Sequence, residues 1–378
     1  MTVKPLVALD LGSTKVACAV GLPREDGGGF ELLGTSVVPY PVAPGGWLSD
    51  PLLIGQTIEQ ALDATALTLD VHAALVAVNH PALQREQVRV SAALGDEPVT
   101  IRAQDLERLT HSAIDRVLAI DREPLLVERL GCAGNGFDGV RDPRGLSATR
   151  LAGTFHIVTM PVAARRALVQ AVESAGLEVA RLTYTLPAAL ASVTEDDVSQ
   201  KRVVLIDASG LAIDIGCFVE SVLQDLEVVP AGGVQLASTI AAKCQVTLDQ
   251  AMAWSLEGTA CRKPEARAAI EGQWRSCGEA LARMLKDQPR PEAILVTGRA
   301  ALADGFAEWI ECRAGVPTSI CRSPRTSTLR ELARQISLTV PIGLLELASR
   351  SWTAPAARSG PLFNRLIERT RTILTEYF

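Results

Sequence analysis

The chain has 378 residues, of which 48% are hydrophobic and 21% charged, with a formal net charge of −6. This length exceeds one ordinary core and the composition excludes a disordered chain, so we expect two or more globular domains. The acidic balance and few aromatic residues exclude a general affinity for nucleic acid. Asp10 and Lys15 interrupt the first apolar run, which excludes a signal peptide, and no apolar stretch is long enough to span a membrane.

The N-terminal segment predicts a β-hairpin followed by a third strand. LVALD (6–10) and KVACAV (15–20) are short apolar runs divided by a Gly-Ser turn, and FELLGTSVV (30–38) follows them. Asp50 is a predicted helix cap, and this helix is predicted to run to about Leu69.

Residues 81–160 are more charged and predict a small α+β module. The apolar spacing over 103–118 is typical of a helix, and the flanking runs QVRVSA, PLLVERL and LAGTFHIVTM predict strands. GCAGNGFDGVRDPRG (131–145) is predicted to be a long polar loop. Eight single cysteines without a CxxC pair disfavour zinc, indicate a reducing cytoplasm and predict no dedicated metal site.

The second half repeats the start of the first. DLGSTKVACAV (10–20) and DASGLAIDIGC (207–217) both place an aspartate at the end of a strand, before a Ser/Gly turn and a second strand. A duplicated hairpin predicts two similar halves that face a cleft. Helices are predicted from Gly233 to about Lys286, a buried strand at 292–298, and a last helix that ends with GLLELA (343–348).

The first hairpin carries a candidate phosphate loop. Gly12, Ser13 and Thr14 are small enough for backbone N–H groups to approach phosphate oxygens. Lys15 adds positive charge, and Asp10 is placed to orient a metal-bound water. The alternative interpretation is an ordinary tight turn.

The second hairpin matches this chemistry less well. Asp207, Gly210 and Asp214 are compatible with metal and phosphate contact, and Ser209 offers one hydroxyl. The intervening Leu-Ala-Ile offers no hydrogen bonds, and a structural or capping carboxylate is the alternative for Asp214. Gly298, in LVTGRAAL, ends a strand where backbone can approach an adenine or ribose; a plain strand-to-helix turn is the alternative.

The C-terminal segment predicts an amphipathic helix with a net charge of +2 from Arg358 to the end. A tethered helix with an apolar face and a basic rim is typical of an interfacial membrane anchor, and a helix docked on the protein surface is the alternative. The predicted membrane-binding residues are Leu362, Phe363, Leu366, Ile367, Arg369, Ile373, Leu374, Tyr377 and Phe378.

Several of these stretches resemble the FtsA family of bacterial cell-division proteins. DLGSTKV (10–16) resembles its first phosphate motif, and DPRGLSATRL with AVESAGLEVARLTYTLPAALAS (171–192) gives the most specific matches. VVPAGGVQLASTIA (228–241) is similar to the family's Gly-Gly helix start. The resemblance implies an α/β, actin-like (ribonuclease-H-like) two-lobed fold with an inserted small α+β domain and a C-terminal amphipathic helix.

The resemblance also implies a domain order and a ligand. The divisions are lobe I (1–81, 160–202 and 337–349), the inserted domain (82–159), lobe II (203–230 and 289–336), its helical subdomain (231–288), a linker (350–360) and the terminal helix (361–378). The implied ligand is ATP with Mg²⁺, at Asp10, Gly12, Ser13, Thr14, Lys15, Asp207, Gly210, Asp214, Gly232, Gly233 and Gly298.

This sequence departs from the family in the second half of that site. The family's Asp-x-Gly-Gly-Gly-Thr-Thr-Asp type of loop is here DASGLAID, and its glycine-rich adenine motif is here TGRAAL. We therefore expect a partly degenerate ATP site with weak hydrolysis at most.

The resemblance implies an adaptor on the cytoplasmic face of the bacterial membrane, at the division site. Its implied partners are the FtsZ C-terminal tail, further copies of itself in filaments, other divisome proteins and lipids. A PilM-like component of type IV pilus assembly, which is expected to lack a terminal lipid helix, is one alternative. A small-molecule kinase of the same superfamily, which needs an intact ATP site, is another.

Overall fold

The computed structural model describes residues 4–24, 29–41, 48–67, 71–193, 201–256, 260, 263–286 and 288–353. Within these ranges no helix combines the length and the apolar character needed to cross a bilayer. The predicted membrane helix at 361–378 lies outside the described residues.

Among the described residues, the first half is built on a five-stranded sheet in the order β3-β2-β1-β4-β11. Its strands are β1 (Leu6–Leu11), β2 (Lys15–Pro23), β3 (Phe30–Pro39), β4 (Ala73–Val78) and β11 (Glu178–Tyr184). β1 pairs antiparallel with β2 and parallel with β4. The predicted hairpin and third strand are therefore confirmed. β1 reads as a nearly continuous apolar run because helices cover the sheet and bury the strand on both faces.

Four helices accompany this sheet: α1 (Pro51–Asp63), α3 (Val162–Ser174), α4 (Thr185–Ala191) and α10 (Thr339–Thr353). Asp50 caps α1, because its Oδ1 accepts a hydrogen bond from the Leu53 N–H at 3.0 Å. The prediction that this helix reaches Leu69 is wrong. It ends at Asp63, and Ala66 has a φ of 58°, a left-handed conformation that cannot continue a helix.

The second half repeats the first, with a described five-stranded sheet in the order β14-β13-β12-β15-β16. Its strands are β12 (Arg202–Ala208), β13 (Ile213–Val219), β14 (Val222–Val229), β15 (Ala293–Thr297) and β16 (Thr318–Ile320). The helices are α5 (Gly233–Cys244), α6 (Leu248–Leu256), α7 (Pro264–Leu285), α8 (Phe306–Ala314) and α9 (Leu332–Ser337), with 3₁₀ turns at Arg299–Leu302 and Pro324–Thr326. Each sheet is an antiparallel three-strand meander extended by two parallel strands, so the prediction of two similar halves is confirmed.

A third unit, inserted after β4, has its own hydrophobic core. It consists of β5 (Gln84–Ala93), β6 (Val99–Thr100), α2 (Ala103–Val117), β7 (Arg122–Gly134), β8 (Phe137–Val140), β9 (Ser147–Ala148) and β10 (Arg150–Pro161). The predicted helix is confirmed, but the predicted long loop at 131–145 is wrong. Asn135 and Gly136 form a two-residue turn between β7 and β8, and Gly136 has the positive φ that such turns require.

Arg122 links the two segments through which the chain enters and leaves the inserted unit, which together form its neck: the residues just before β5 and the end of β10. Its guanidinium donates to the Ala82 carbonyl at 2.7 Å and to the hydroxyl and carbonyl of Thr159 at 2.9 and 2.8 Å. One planar side chain therefore holds both sides of this neck together.

The inserted unit also touches the second half. Arg85 on β5 forms ion pairs with Asp225 and Glu227 on β14, and the distance to Glu227 is 3.4 Å. The Arg85 side chain is 41% exposed, so water and salt screen these pairs.

α4 crosses α10 and also contacts β12, the first strand of the second half. Gly343 lies against α4 so closely that a Cβ there would collide with the Ala188 carbonyl oxygen. α10 runs on to Thr353, so the predicted linker at 350–360 is wrong over its first four residues. No proline or glycine stands in that stretch to end the helix earlier.

We predict that Gly343→Ala destabilises the protein by about 3 kcal/mol, because a methyl group at the crossing forces two helices apart. Urea unfolding measures the loss. Gly272→Ala is the matched control: Gly272 also lies inside a helix, but a Cβ there meets no atom within 4 Å, so we expect stability to be kept or slightly raised. Equal midpoints for the two variants would contradict this account of the crossing.

Candidate functional site

The two duplicated hairpins face each other across a cleft of about 1060 Å³, part of which is open to solvent. β1 and β12 each end at this cleft, so the turns that follow them meet there. Nine of the predicted site residues line it: Asp10, Gly12, Ser13, Thr14, Lys15, Asp207, Gly210, Gly233 and Gly298. Gly232 and Asp214 are not among the lining residues.

The first loop is held by its own hydrogen bonds. The Gly12 N–H donates to the Lys15 carbonyl at 3.1 Å, and the Tyr40 N–H donates to the Thr14 carbonyl at 3.0 Å. The Tyr40 hydroxyl donates to the Gly12 carbonyl. Lys15 Nζ lies 2.6 Å from Asp10 Oδ2, and both side chains are nearly buried. The lysine therefore neutralises the aspartate at the floor of the cleft.

The second loop is tied to the start of α5. The N–H groups of Gly233 and Val234 donate to the carbonyls of Ser209 and Gly210 at 2.9 and 2.8 Å. These are two of the amides that a helix N-terminus normally leaves open for an anion. In this chain both are used to shape the loop.

Close contacts require the predicted glycines at three positions. A Cβ on Gly210 would strike the Ser13 hydroxyl, and a Cβ on Gly232 would strike the Gly210 carbonyl. Gly298 has a φ of 82° and packs against the Asp207 carboxylate. Gly232 therefore supports the second loop from behind, without reaching the cleft.

Asp214 is fully buried beneath the cleft. The Tyr184 hydroxyl donates to its Oδ2 at 2.5 Å, while its Oδ1 has no hydrogen-bond partner among the described residues. Burial raises the pKa of Asp214 well above its ordinary value, and the neighbouring Asp207 adds to the rise. The carboxyl is therefore protonated more readily than an exposed aspartate, and its contacts are those of a structural group.

Asp207 is buried at the cleft floor and accepts a hydrogen bond from the Ser209 hydroxyl at 2.7 Å. Burial raises its pKa to about 6, and repulsion from Asp10 contributes, against the opposing effects of Ser209 and Lys15. Its charge is thus costly unless a cation or a ligand compensates for it.

Two cleft residues lacked a signal in the sequence. The Thr185 hydroxyl is a buried polar group that makes no hydrogen bond within the described part of the chain; the Asn79 amide has no well-formed hydrogen bond there either, although it lies close enough to Asp214 to lower the pKa of that carboxyl slightly, against the effect of burial. Asn79 follows the end of β4, and Thr185 begins α4, so both come from the boundaries of ordinary apolar segments. Unpaired polar atoms at a cleft floor fit a site that is completed by a ligand or by water.

Arg299 also lines the cleft, directly after Gly298. The sequence marked this residue only as a departure from a glycine-rich motif. Burial lowers its pKa. In the described ranges no group of three or more His, Cys, Asp or Glu side chains is arranged to hold a metal ion. A Mg²⁺ ion at this cleft would therefore depend on phosphate oxygens for much of its coordination.

Comparison with known families identifies the inserted unit. Residues 80–159 match the model of the SHS2 domain inserted in FTSA. This segment contains every strand and helix of the third unit described above, apart from the last two residues of β10.

Curated relatives carry the same family name. The cell division protein FtsA of Pseudomonas aeruginosa is 28% identical over 240 residues, which cover 63% of this chain and 57% of that protein. The FtsA of Escherichia coli strain K12 is 26% identical over 241 residues, covering 63% and 56%. The chain thus spans little more than half the length of these relatives.

Solved structures agree on the fold. A chain of the PilM-PilN type IV pilus biogenesis complex superposes with a TM-score of 0.70 at 14% identity, over 91% of this chain and 98% of that one. The ethanolamine utilization protein EutJ from Carboxydothermus hydrogenoformans gives a TM-score of 0.53 at 14% identity, over 92% and 90%. The inserted domain, the curated relatives and the two-halved, actin-like fold together support a divergent relative of FtsA.

Proposed function

We propose that this protein is an adaptor of bacterial cell division that holds the FtsZ ring to the cytoplasmic face of the membrane. It binds the C-terminal tail of FtsZ, contacts other divisome proteins and associates with further copies of itself. The observation that carries the proposal is the FtsA-type inserted domain set into an actin-like fold, in a chain whose curated relatives are named for cell division.

Membrane attachment is proposed to come from residues 361–378. The segment pairs an apolar face with arginines, and each arginine near anionic lipid adds roughly 1 kcal/mol. A single helix of this kind binds reversibly, so self-association is proposed to strengthen attachment through avidity.

The cleft is proposed to bind ATP with Mg²⁺. The loop of Gly12, Ser13 and Thr14 would hold phosphate oxygens, and Lys15 would add positive charge. On the opposite side of the cleft, the absence of a side chain on Gly298 would let the ligand approach the backbone. The unpaired Thr185 hydroxyl favours a ligand with polar groups at the floor of the cleft. When bound, the nucleotide with its Mg²⁺ would supply negative charge and phosphate oxygens, which accept hydrogen bonds from the loops of both halves.

Binding is proposed to dominate over hydrolysis because the carboxylates at the cleft floor are already engaged. Asp10 pairs with Lys15, and Asp207 accepts from Ser209. Asp214 is buried below the cleft against Tyr184. A general base must reach the proton that it removes, and each of these groups is held by another side chain.

Two other functions are weaker. The pilus-assembly protein PilM shares the fold at low identity, which does not extend to its function, whereas the sequence similarity is to FtsA. A small-molecule kinase would need an open carboxylate beside the phosphates, and ATP turnover that depends on an added sugar or acid would revive that interpretation.

We predict that the full-length protein binds ATP·Mg²⁺ in the micromolar range, as measured by calorimetry. Lys15→Ala is expected to weaken binding about ten-fold or more, because the phosphates lose a cation and meet an unneutralised Asp10.

Lys243→Ala is the matched control for that titration, because Lys243 is an exposed lysine at the end of α5. Its affinity should equal that of the unaltered protein. If the unaltered protein shows no binding, the cleft is a remnant and the adaptor acts without a nucleotide.

We predict that the stability of the ligand-free protein depends on Asp207 between pH 4 and pH 6. A carboxyl with a raised pKa binds its proton more tightly when folded, so its contribution to stability is present below the unfolded pKa and is lost as pH rises through about 6. Asp207→Asn should therefore gain about 2 kcal/mol relative to the unaltered protein from pH 4 to pH 6. Urea unfolding across this range measures the gain, with the exposed Asp115→Asn as control. A constant difference between the two curves would refute the burial argument.

We predict that deletion of residues 361–378 abolishes pelleting with vesicles that contain anionic lipid, because the apolar face and its basic rim are removed together. Leu366→Asp should weaken pelleting strongly, whereas Glu368→Asp, on the polar side, should leave it intact. Undiminished pelleting of the deletion variant would end the anchor proposal and favour a surface-docked helix.

A further inference from the structure

Arg299 is a cleft cation that has no partner among the described residues. It lines the cleft, and within the described residues it makes no hydrogen bond and no ion pair; burial alone accounts for its lowered pKa, with no contribution from a neighbouring charge. The other cleft cation, Lys15, is already matched with Asp10. A partly buried guanidinium that lacks a carboxylate is stabilised when an anion reaches it.

The position of Arg299 is fixed by the backbone around it. Gly298 packs against Asp207, and Ala300 lies 3.4 Å from the place that a Cβ on Gly233 would occupy. Arg299 therefore starts its 3₁₀ turn between the end of β12 and the start of α5, facing the same cleft as the first loop.

Two of the amides at the start of α5 are not available to an anion. The Gly233 and Val234 amides are used by the carbonyls of the second loop. A cation at Arg299 offers a substitute, because the planar guanidinium presents several donors to one oxyanion.

We propose that Arg299 binds a phosphate group of the ligand, so that this cleft recognises a polyphosphate chain in preference to a nucleobase. The inference rests on the proposed nucleotide site and specifies that the phosphate groups are the part of the ligand that the protein recognises. A long cation stands where small residues would otherwise let a base approach, so discrimination between bases is expected to be weak. Free polyphosphate and a nucleoside triphosphate share the chemistry that Arg299 recognises.

Calorimetric titration of the full-length protein with ATP, GTP, tripolyphosphate and adenosine, each with Mg²⁺, tests this proposal. We expect ATP and GTP to bind with similar affinity and adenosine not to bind. Arg299→Ala should lower the affinity for ATP and GTP about ten- to hundred-fold, as expected for a charge-assisted contact. Arg299→Lys should recover part of the loss.

Arg267→Ala is the matched control, because Arg267 is an exposed arginine on α7 that pairs with Glu271. Thermal unfolding of each variant establishes that the fold is kept. Unchanged affinity of Arg299→Ala, tight adenosine binding, or strong preference for one base would overturn the proposal while leaving nucleotide binding intact. If neither the triphosphates nor tripolyphosphate bind the unaltered protein, both this proposal and the proposed nucleotide site fail. Tripolyphosphate binding equal to that of ATP would support the proposal and identify free polyphosphate as a sufficient ligand.

Discussion

Three carboxylates lie buried where the two halves of the molecule meet, and burying them is the constraint that organises the cleft. A buried carboxylate is costly unless a donor or a cation compensates for it. A lysine, a serine and a tyrosine fulfil this role for Asp10, Asp207 and Asp214. The tyrosine stands at the end of β11 in the first half, while its acceptor lies on β13 in the second. The hydrogen bond that stabilises the buried Asp214 therefore also connects the two halves.

The halves share a strand order but differ in how their loops use hydrogen bonds. In the first, small residues follow β1, and the loop is closed by Lys15 and Tyr40. In the second, carbonyls of the loop take the first amides of α5. The departure of DASGLAID from the family's loop thus coincides with donors that are occupied internally. A site built this way presents fewer fixed amides, so an anion bound there would depend more on the cationic side chains.

Much of the fold could be predicted because its signals are local. The two hairpins and α2 depend on residue patterns within about fifteen positions, and these appear directly in the sequence. The hydrogen bond from Tyr184 to Asp214 joins residues that are thirty positions apart, so no local pattern predicts it. The polar groups of Asn79 and Thr185 come together at the cleft floor only when β4 and α4 are packed in the fold. The polar composition of 131–145 concealed a hairpin, although Asn135-Gly136 is the turn signal that predicts one. The inserted domain was predicted through resemblance, and the domain boundaries other than the start of the linker remain predictions.

The ion pairs of Arg85 connect the inserted unit to the second half, so each of the three units contacts the other two. The first half joins the second where α4 contacts β12, and the inserted unit joins the first half at its neck and the second half through β14. The Arg85 pairs therefore tie the inserted unit to the second half, in addition to the segments that connect it to the first half. Because these side chains are partly exposed, salt is expected to weaken this contact between the inserted unit and the second half. Both partners of Arg85 lie on β14, which pairs with β13, so the inserted unit contacts the second half one strand away from the buried Asp214.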